Sequence, residues 1–225
     1  MEQQVLIQCE HLAKTYKADE QVVRAVDHVD LDIARGDFVV ILGHSGSGKT
    51  TLLSLIGGLT SPDSGSVRIH GKDNWSMGDQ HLSLLRNKTI GFIFQFASLI
   101  PTLTVLENLL LPLYFGEATD NRREKGMELL ARVGLADKAN VYPSQLSGGQ
   151  QRRIAIARAF INDPEIILAD EPTGDLDEET EGDILKMFRQ FNEQGMTFLV
   201  VTHNANLAAS QNGCRTLHMK NGQFV

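Results

Sequence analysis

Four short runs of consecutive apolar residues punctuate the chain: Phe38–Leu42, Ile90–Phe94, Ile166–Ala169 and Phe198–Val201. Unbroken apolar runs of this length are what strands buried on both faces of a parallel sheet require. Each run ends on polar or flexible groups: Gly43 and its loop, Gln95, Asp170 with Glu171, and Thr202 with His203. Open α/β sheets bind ligands beyond the carboxyl ends of their strands. The pattern therefore predicts four chemically useful strand ends gathered at one edge.

The amino-terminal part is patterned differently. Val29, Leu31 and Ile33 alternate with His28, Asp30 and Asp32, the period of a strand with one solvated face. Val5 to Cys9 and Val22 to Val26 are expected to join it in an antiparallel sheet. Between roughly residues 96 and 145 the period turns helical. Thr104 caps a helix expected to run through Leu113, kinked or ended by Pro112, and Glu124 to Val133 suits another. The fold class that follows is α/β, one domain over residues 1–225. A mostly parallel core over 1–95 and 146–225 carries the antiparallel β-subdomain, and 96–145 forms a helical insert. No internal repeat, low-complexity tract or interdomain linker interrupts it.

Composition narrows the classes. Hydrophobic residues make up 42% and charged residues 22%, which is a foldable chain and not a disordered one. The net charge of −7 argues against wholesale nucleic-acid binding and gains nothing at an anionic membrane surface. Two cysteines, Cys9 and Cys214, are too few for a disulfide framework and lack zinc-ligand spacing, so both read as reduced thiols. The longest apolar stretch, Leu103 to Phe115, is interrupted by Glu107, Asn108 and Pro112 and is too short to span a bilayer. The chain's start lacks the basic region of a signal peptide. Any membrane role is expected to come through a partner.

The candidate chemistry begins at Gly43-His44-Ser45-Gly46-Ser47-Gly48-Lys49-Thr50, which matches the phosphate-binding loop G-x-x-x-x-G-K-[ST]. Its glycines let backbone N–H groups turn inward around phosphate oxygens. A helix from Lys49 through Ile56 directs its positive end at them, Lys49 adds a charge, and Thr50 offers a hydroxyl to magnesium. Asp170, at the end of a buried strand, suits a magnesium ion, and Glu171 suits a water attacking the terminal phosphate. A plain acidic turn is the competing reading of that pair, outweighed by the loop at the same sheet edge. Leu146-Ser147-Gly148-Gly149-Gln150 opens a further helix with Ser147 as its N-cap, and Ile154, Ala157 and Ile161 line one face. Its open start is a second anion site. One nucleotide cannot readily use both sites within one protomer, so the second is expected to serve another subunit's nucleotide.

In these motifs, their order and their spacing, nearly the whole chain resembles the ATP-binding cassette (ABC) ATPases, a P-loop NTPase family. The resemblance implies ATP and Mg²⁺ as ligands, with Gly43 to Thr50 and Thr51 at the nucleotide. It implies that Tyr16, 27 residues before Gly43, stacks on adenine. It also implies that Gln95 senses magnesium and the attacking water and links the site to a membrane subunit. His203 would contact the γ-phosphate, and Asp177 would lie in the loop joining two active sites. Glu171, His203 and Gln95 become the catalytic set, and Thr50, Gln95 and Asp170 the metal set. Ser147, Gly148, Gly149 and Gln150 would close on the partner's nucleotide in a sandwich of two copies.

Three positions depart from the family's habit: His44 for proline, Thr50 for serine, and Asn204 where aspartate usually follows the histidine. The segments Leu99 to Asn108 and Leu168 to Gly174 resemble a bacterial group of lipoprotein-release, macrolide-export and cell-division ATPases. An ATPase powering a membrane partner is the reading that follows, with regulation of cell-wall remodelling as the alternative. The chain is expected to be cytoplasmic, peripheral on the inner face of the cell membrane. The apolar stretch Phe96 to Leu103 is expected to form the groove for the partner's coupling helix.

Overall fold

All four apolar runs lie side by side in one six-stranded sheet. A computed structural model describes residues 4–18, 21–116, 121–174, 176–211 and 213–225. Its strands are β1 (Val5–Ala18), β2 (Gln21–Ala34), β3 (Phe38–Leu42), β4 (Ser64–Ile69), β5 (Lys72–Asp73), β6 (Ile90–Ile93), β7 (Ile166–Asp170), β8 (Thr197–Thr202), β9 (Arg215–Lys220) and β10 (Gln223–Phe224). The large sheet has the order β10-β9-β3-β8-β7-β6, parallel throughout except for β10. The small one, β2-β1-β4-β5, is antiparallel.

Alternation along the buried strands divides their side chains between two cores. Phe38, Val40, Ile167, Ala169, Phe198 and Val200 face one way, Val39, Ile41, Ile166, Leu168, Leu199 and Val201 the other. The second set packs on α1 (Lys49–Ile56) and on Ile7, Leu31, Ile33, Val67 and Ile69 of the antiparallel sheet. The first set meets α3 (Val105–Leu110), α4 (Arg122–Arg132), α5 (Gly148–Ala159) and α6 (Glu178–Glu193). Phe160, Phe188 and Phe198 cluster there with centroids 5.3 to 6.3 Å apart. Each ring buries apolar surface worth about 1.5–3 kcal/mol. Both sides of β3, β7 and β8 are thus covered, which is why their sequences are unbroken apolar runs.

Several boundaries differ from the sequence-based expectation for stated physical reasons. The amino-terminal segments are not three short strands but one long hairpin, whose register shifts between Cys9 and Lys14 let it bend. The second run stops at Ile93, and just beyond it the Phe94 carbonyl accepts from the Arg152 guanidinium. Thr104 does cap α3, in a capping box with Glu107, but the α-helix ends at Leu110. Pro112 lies in the tighter 3₁₀ turn Leu111–Phe115 that follows. The remaining α-helices among the described residues are α2 (Asp79–Thr89) and α7 (Ala205–Ser210). Among the described residues, no helix is long and apolar enough to cross a membrane.

Candidate functional site

The loop between β3 and α1 is held against backbone on two sides. A Cβ on Gly43 would lie 2.4 Å from the Met219 carbonyl oxygen, and one on Gly48 would lie 1.9 Å from that of Ala25. Gly48 also has φ +104, a value L side chains avoid. Glycine at both positions is therefore a steric requirement. Lys49 is buried, and its Nζ donates to the carbonyls of Gly43 at 2.7 Å and His44 at 3.1 Å, folded across the loop. The Ser47 hydroxyl is buried with no hydrogen-bond partner among the described residues. An orphaned donor in a concave turn at a helix start is the chemistry that accepts a phosphate.

Beside the loop, Asp170 ends β7 in register with Val201 of β8. Its carboxyl is pushed above the ordinary range by burial and next by the Glu171 charge, against a hydrogen bond from Thr50 and the charges of Lys49 and Arg152. The Thr50 hydroxyl, the Asp170 carboxylate and the Gln95 amide border one cleft. These are hard oxygen donors, too few to cage a cation alone, and they fit magnesium held largely by phosphates and water.

Glu171 has φ +44, outside the strand it follows, while its N–H still donates to the Val201 carbonyl at 2.9 Å. Its carboxylate is held by the β8 end: the Thr202 hydroxyl donates at 2.7 Å, and the His203 N–H at 2.9 Å and Nδ1 at 2.8 Å. A backbone turned into the left-handed region and a carboxylate with three donors fix this side chain at the cleft wall. The adjoining Asn204 caps α7 through Asn206 and donates from Nδ2 to Glu181 at 3.1 Å; Thr173 donates to the same oxygen at 2.8 Å. Asn204 can give that bond where an aspartate would meet the Glu181 carboxylate charge to charge.

A cleft of about 660 Å³ gathers His44, Ser45, Gly46, Ser47, Gly48, Lys49, Thr50, Thr51, Gln95, Asp170, Glu171 and His203. The convergence read from the strand ends is therefore present. Val23 and Ala25 also line it and carry no motif that sequence alone would single out; Gly174, the last residue of the Leu168 to Gly174 segment, lines it too. Tyr16 is not in the lining; it pairs across the hairpin with Val23, which is, and its ring lies 5.7 Å from the Lys14 ammonium. Ser147 to Gln150 stand apart from this cleft. Ser147 accepts from the Gln150 N–H at 3.2 Å while Gln150 Oε1 accepts from the Ser147 N–H at 3.0 Å, a capping box opening α5 at the surface. Asp177 caps α6 through Thr180, and those bonds hold its carboxyl below the usual range. Along Phe96 to Leu103, the stretch expected to receive a coupling helix, Phe96 is exposed. Leu99 packs inward, and Asn108 bonds Ile100 and Leu103, folding that stretch onto α3. A separate apolar cleft lies between Leu59, Leu84, Phe92, Phe94, Pro112 and Phe115.

Comparison with known proteins gives this geometry its context. The family model described as "ABC transporter" matches residues 26–174. An uncharacterized ABC transporter ATP-binding protein of Thermotoga maritima is 49% identical over 86% of this chain and 83% of its own length. The macrolide export ATP-binding/permease protein MacB of Aggregatibacter actinomycetemcomitans is 43% identical over 98% of this chain, which spans only 34% of that longer protein. Among solved structures, the ATP-binding cassette MJ0796, in a dimeric post-hydrolysis state bound to ADP and Pi, superposes with a TM-score of 0.92. It is 43% identical, with 97% of this chain and 96% of that one covered. With the phosphate loop, the β7 carboxylates and the β8 histidine on one cleft, and the family model matching from the hairpin through Gly174, the chain belongs to the ABC transporter family as an ATP-binding domain.

Proposed function

We propose that this chain is the ATP-hydrolysing subunit of a bacterial ABC transport system and works as a pair of copies with two ATP molecules between them. The observation that carries the reading is the separation of its two anion sites. The loop cleft gathers Lys49, Thr50, Gln95, Asp170, Glu171 and His203, while the capped start of α5 stands apart from it at the surface. A second copy, placed head to tail, brings that helix start to the γ-phosphate.

Within the cleft the chain's own residues divide the work. The loop amides, Ser47 and Lys49 bind the phosphates. Thr50, Asp170 and Gln95 would hold a magnesium ion, which supplies charge neutralisation for the β- and γ-phosphates when bound. Glu171 polarises the attacking water, and His203, already bonded to it, orients the γ-phosphate side. Tyr16, beside Val23, provides the face for adenine. The apolar cleft of about 600 Å³ bordered by Leu84, Phe94 and Phe115 receives a membrane subunit, because it begins next to Gln95 and so reports nucleotide state to whatever occupies it. The helices within 96–145 form the arm that carries this contact. The likeness to MacB supports an exporter or mechanotransmission partner at the inner face of the membrane.

Glu171→Gln tests the reading. It keeps shape and hydrogen bonding but removes the charge, and general-base losses run at roughly 10²–10⁴ in rate. ATP is then retained between two copies, so gel filtration with light scattering should show a dimer with ATP and magnesium and a monomer without. A variant that binds ATP yet stays monomeric at high protein concentration would overturn the two-copy model.

A further inference from the structure

Arg152 lies one turn into α5 and is 5% exposed, an unusual burial for a guanidinium. Its Nε donates to the Pro172 carbonyl at 2.9 Å, and Nη2 reaches the carbonyls of Asp170, at 3.3 Å, and Glu171; Nη1 donates to the carbonyl of Phe94. These four acceptors belong to two segments far apart in sequence. One is the end of β6 that leads into Gln95, and the other is the β7 end that carries Asp170 and Glu171. We propose that Arg152 is a positioning residue that fixes Gln95 and Glu171 relative to one another and ties both to the helix that begins at Ser147.

Three features carry this. The Phe94 carbonyl, held by Arg152 just past the end of β6, is the backbone anchor immediately before Gln95, which lines the cleft. The Glu171 carbonyl, held by the same guanidinium, braces a residue whose φ of +44 needs outside support. Only a planar fork with five donors spans carbonyls from both segments at once; a point ammonium on a flexible stem cannot. On the two-copy reading above, Ser147 to Gln150 grip the partner's nucleotide, so any shift of α5 is passed through Arg152 to the cleft of its own protomer. Each cleft then senses the occupancy of the other through one side chain.

The test is the split between kcat and KM. Arg152→Lys keeps charge and most of the volume but not the fork, and displacement of a reacting group by about 1 Å costs on the order of 10²-fold. Single-turnover and steady-state ATPase assays of the full chain should show kcat lowered about tenfold or more for Arg152→Lys, and further for Arg152→Met, with KM for ATP within about threefold of the parent. Should Arg152→Met fail to fold, Arg152→Lys decides alone. In the Glu171→Gln background, Arg152→Lys should still dimerise with ATP, which separates this proposal from the two-copy reading. Parental kcat in folded Arg152→Lys, or kcat and nucleotide affinity falling together, would overturn the positioning role. Failure of Glu171→Gln itself to dimerise would overturn the two-copy reading and leave the kcat test standing.

Discussion

Asn204→Asp restores the residue that the family usually carries after the switch histidine, and in this chain it should be harmful. Asn204 Nδ2 donates to Glu181 Oε1 at 3.1 Å, and Thr173 donates to the same oxygen. Aspartate removes the amide donor and sets a second carboxylate at that distance. A hydrogen bond to a charged group is worth about 1.5–3 kcal/mol. Two unit charges at that separation repel by about 5 kcal/mol at an effective dielectric of about 20, before water screens them and the side chains part. Because both residues are half-buried and can yield toward solvent, the net loss expected is about 2–3 kcal/mol, most of it the hydrogen bond. At about 2–4 °C per kcal/mol for a chain of this size, the melting temperature at pH 7.5 should fall by roughly 4–12 °C.

The substitution is a clean probe because aspartate keeps the acceptor that caps α7 at Asn206. Glu181→Gln, which restores a donor facing the introduced aspartate, should recover most of the lost stability, giving a coupling of at least about 1 kcal/mol in the double-mutant cycle. Parental melting at pH 7.5, or a deficit that Glu181→Gln leaves untouched, would refute the argument.

Two further outcomes follow from the cleft. Lys49→Ala should lose most ATP affinity and nearly all turnover while circular dichroism stays that of the parent, and unchanged binding of a fluorescent ATP analogue would remove Lys49 from the phosphate site. Asp170→Asn should melt higher than the parent at pH 7.5 while losing magnesium-dependent turnover. The raised folded-state value of Asp170 means its protonated form is favoured in the fold, a contribution present at low pH and lost as pH rises through that value, so the ionised group opposes folding at neutrality. The stability gain should vanish as pH falls below the ordinary aspartate range near about 4, and a gain constant with pH would contradict it.

How much of this was readable in advance divides along physical lines. The β3, β7 and β8 runs are legible because covering on both sides makes them continuous, and burial alone writes that signal. β9 is not, since Arg215, Thr216, His218 and Lys220 are exposed and only Met219 is buried. The small strands β4 and β5 are hidden for a similar reason: Ser64 and Gly65 are exposed, and the pairing that makes them strands starts from β1. The apolar cleft bordered by Leu84, Phe94 and Phe115 was not legible either, because it is assembled from α2, β6 and the turn after α3, segments that meet only in the fold.

The site shows the same division at finer scale. Phosphate loop, Asp170, Glu171 and His203 are local patterns because one ligand demands several groups from short stretches of chain. Their supports are not local. Arg152 reaches a carbonyl 58 residues away, Thr202 bonds Glu171 across 31, and Asn204 bonds Glu181 across 23. Such contacts leave no spacing rule in the sequence, and a substitution at one end is intelligible only when its partner is seen. Asn204 looks like a lost charge until Glu181 stands opposite it, and then it is the residue that the neighbouring carboxylate requires. Two chains with identical motifs can therefore differ in rate through supports of this kind, and the place to look for that difference here is the contacts that Arg152 makes with the ends of β6 and β7 and that Asn204 makes with Glu181 of α6.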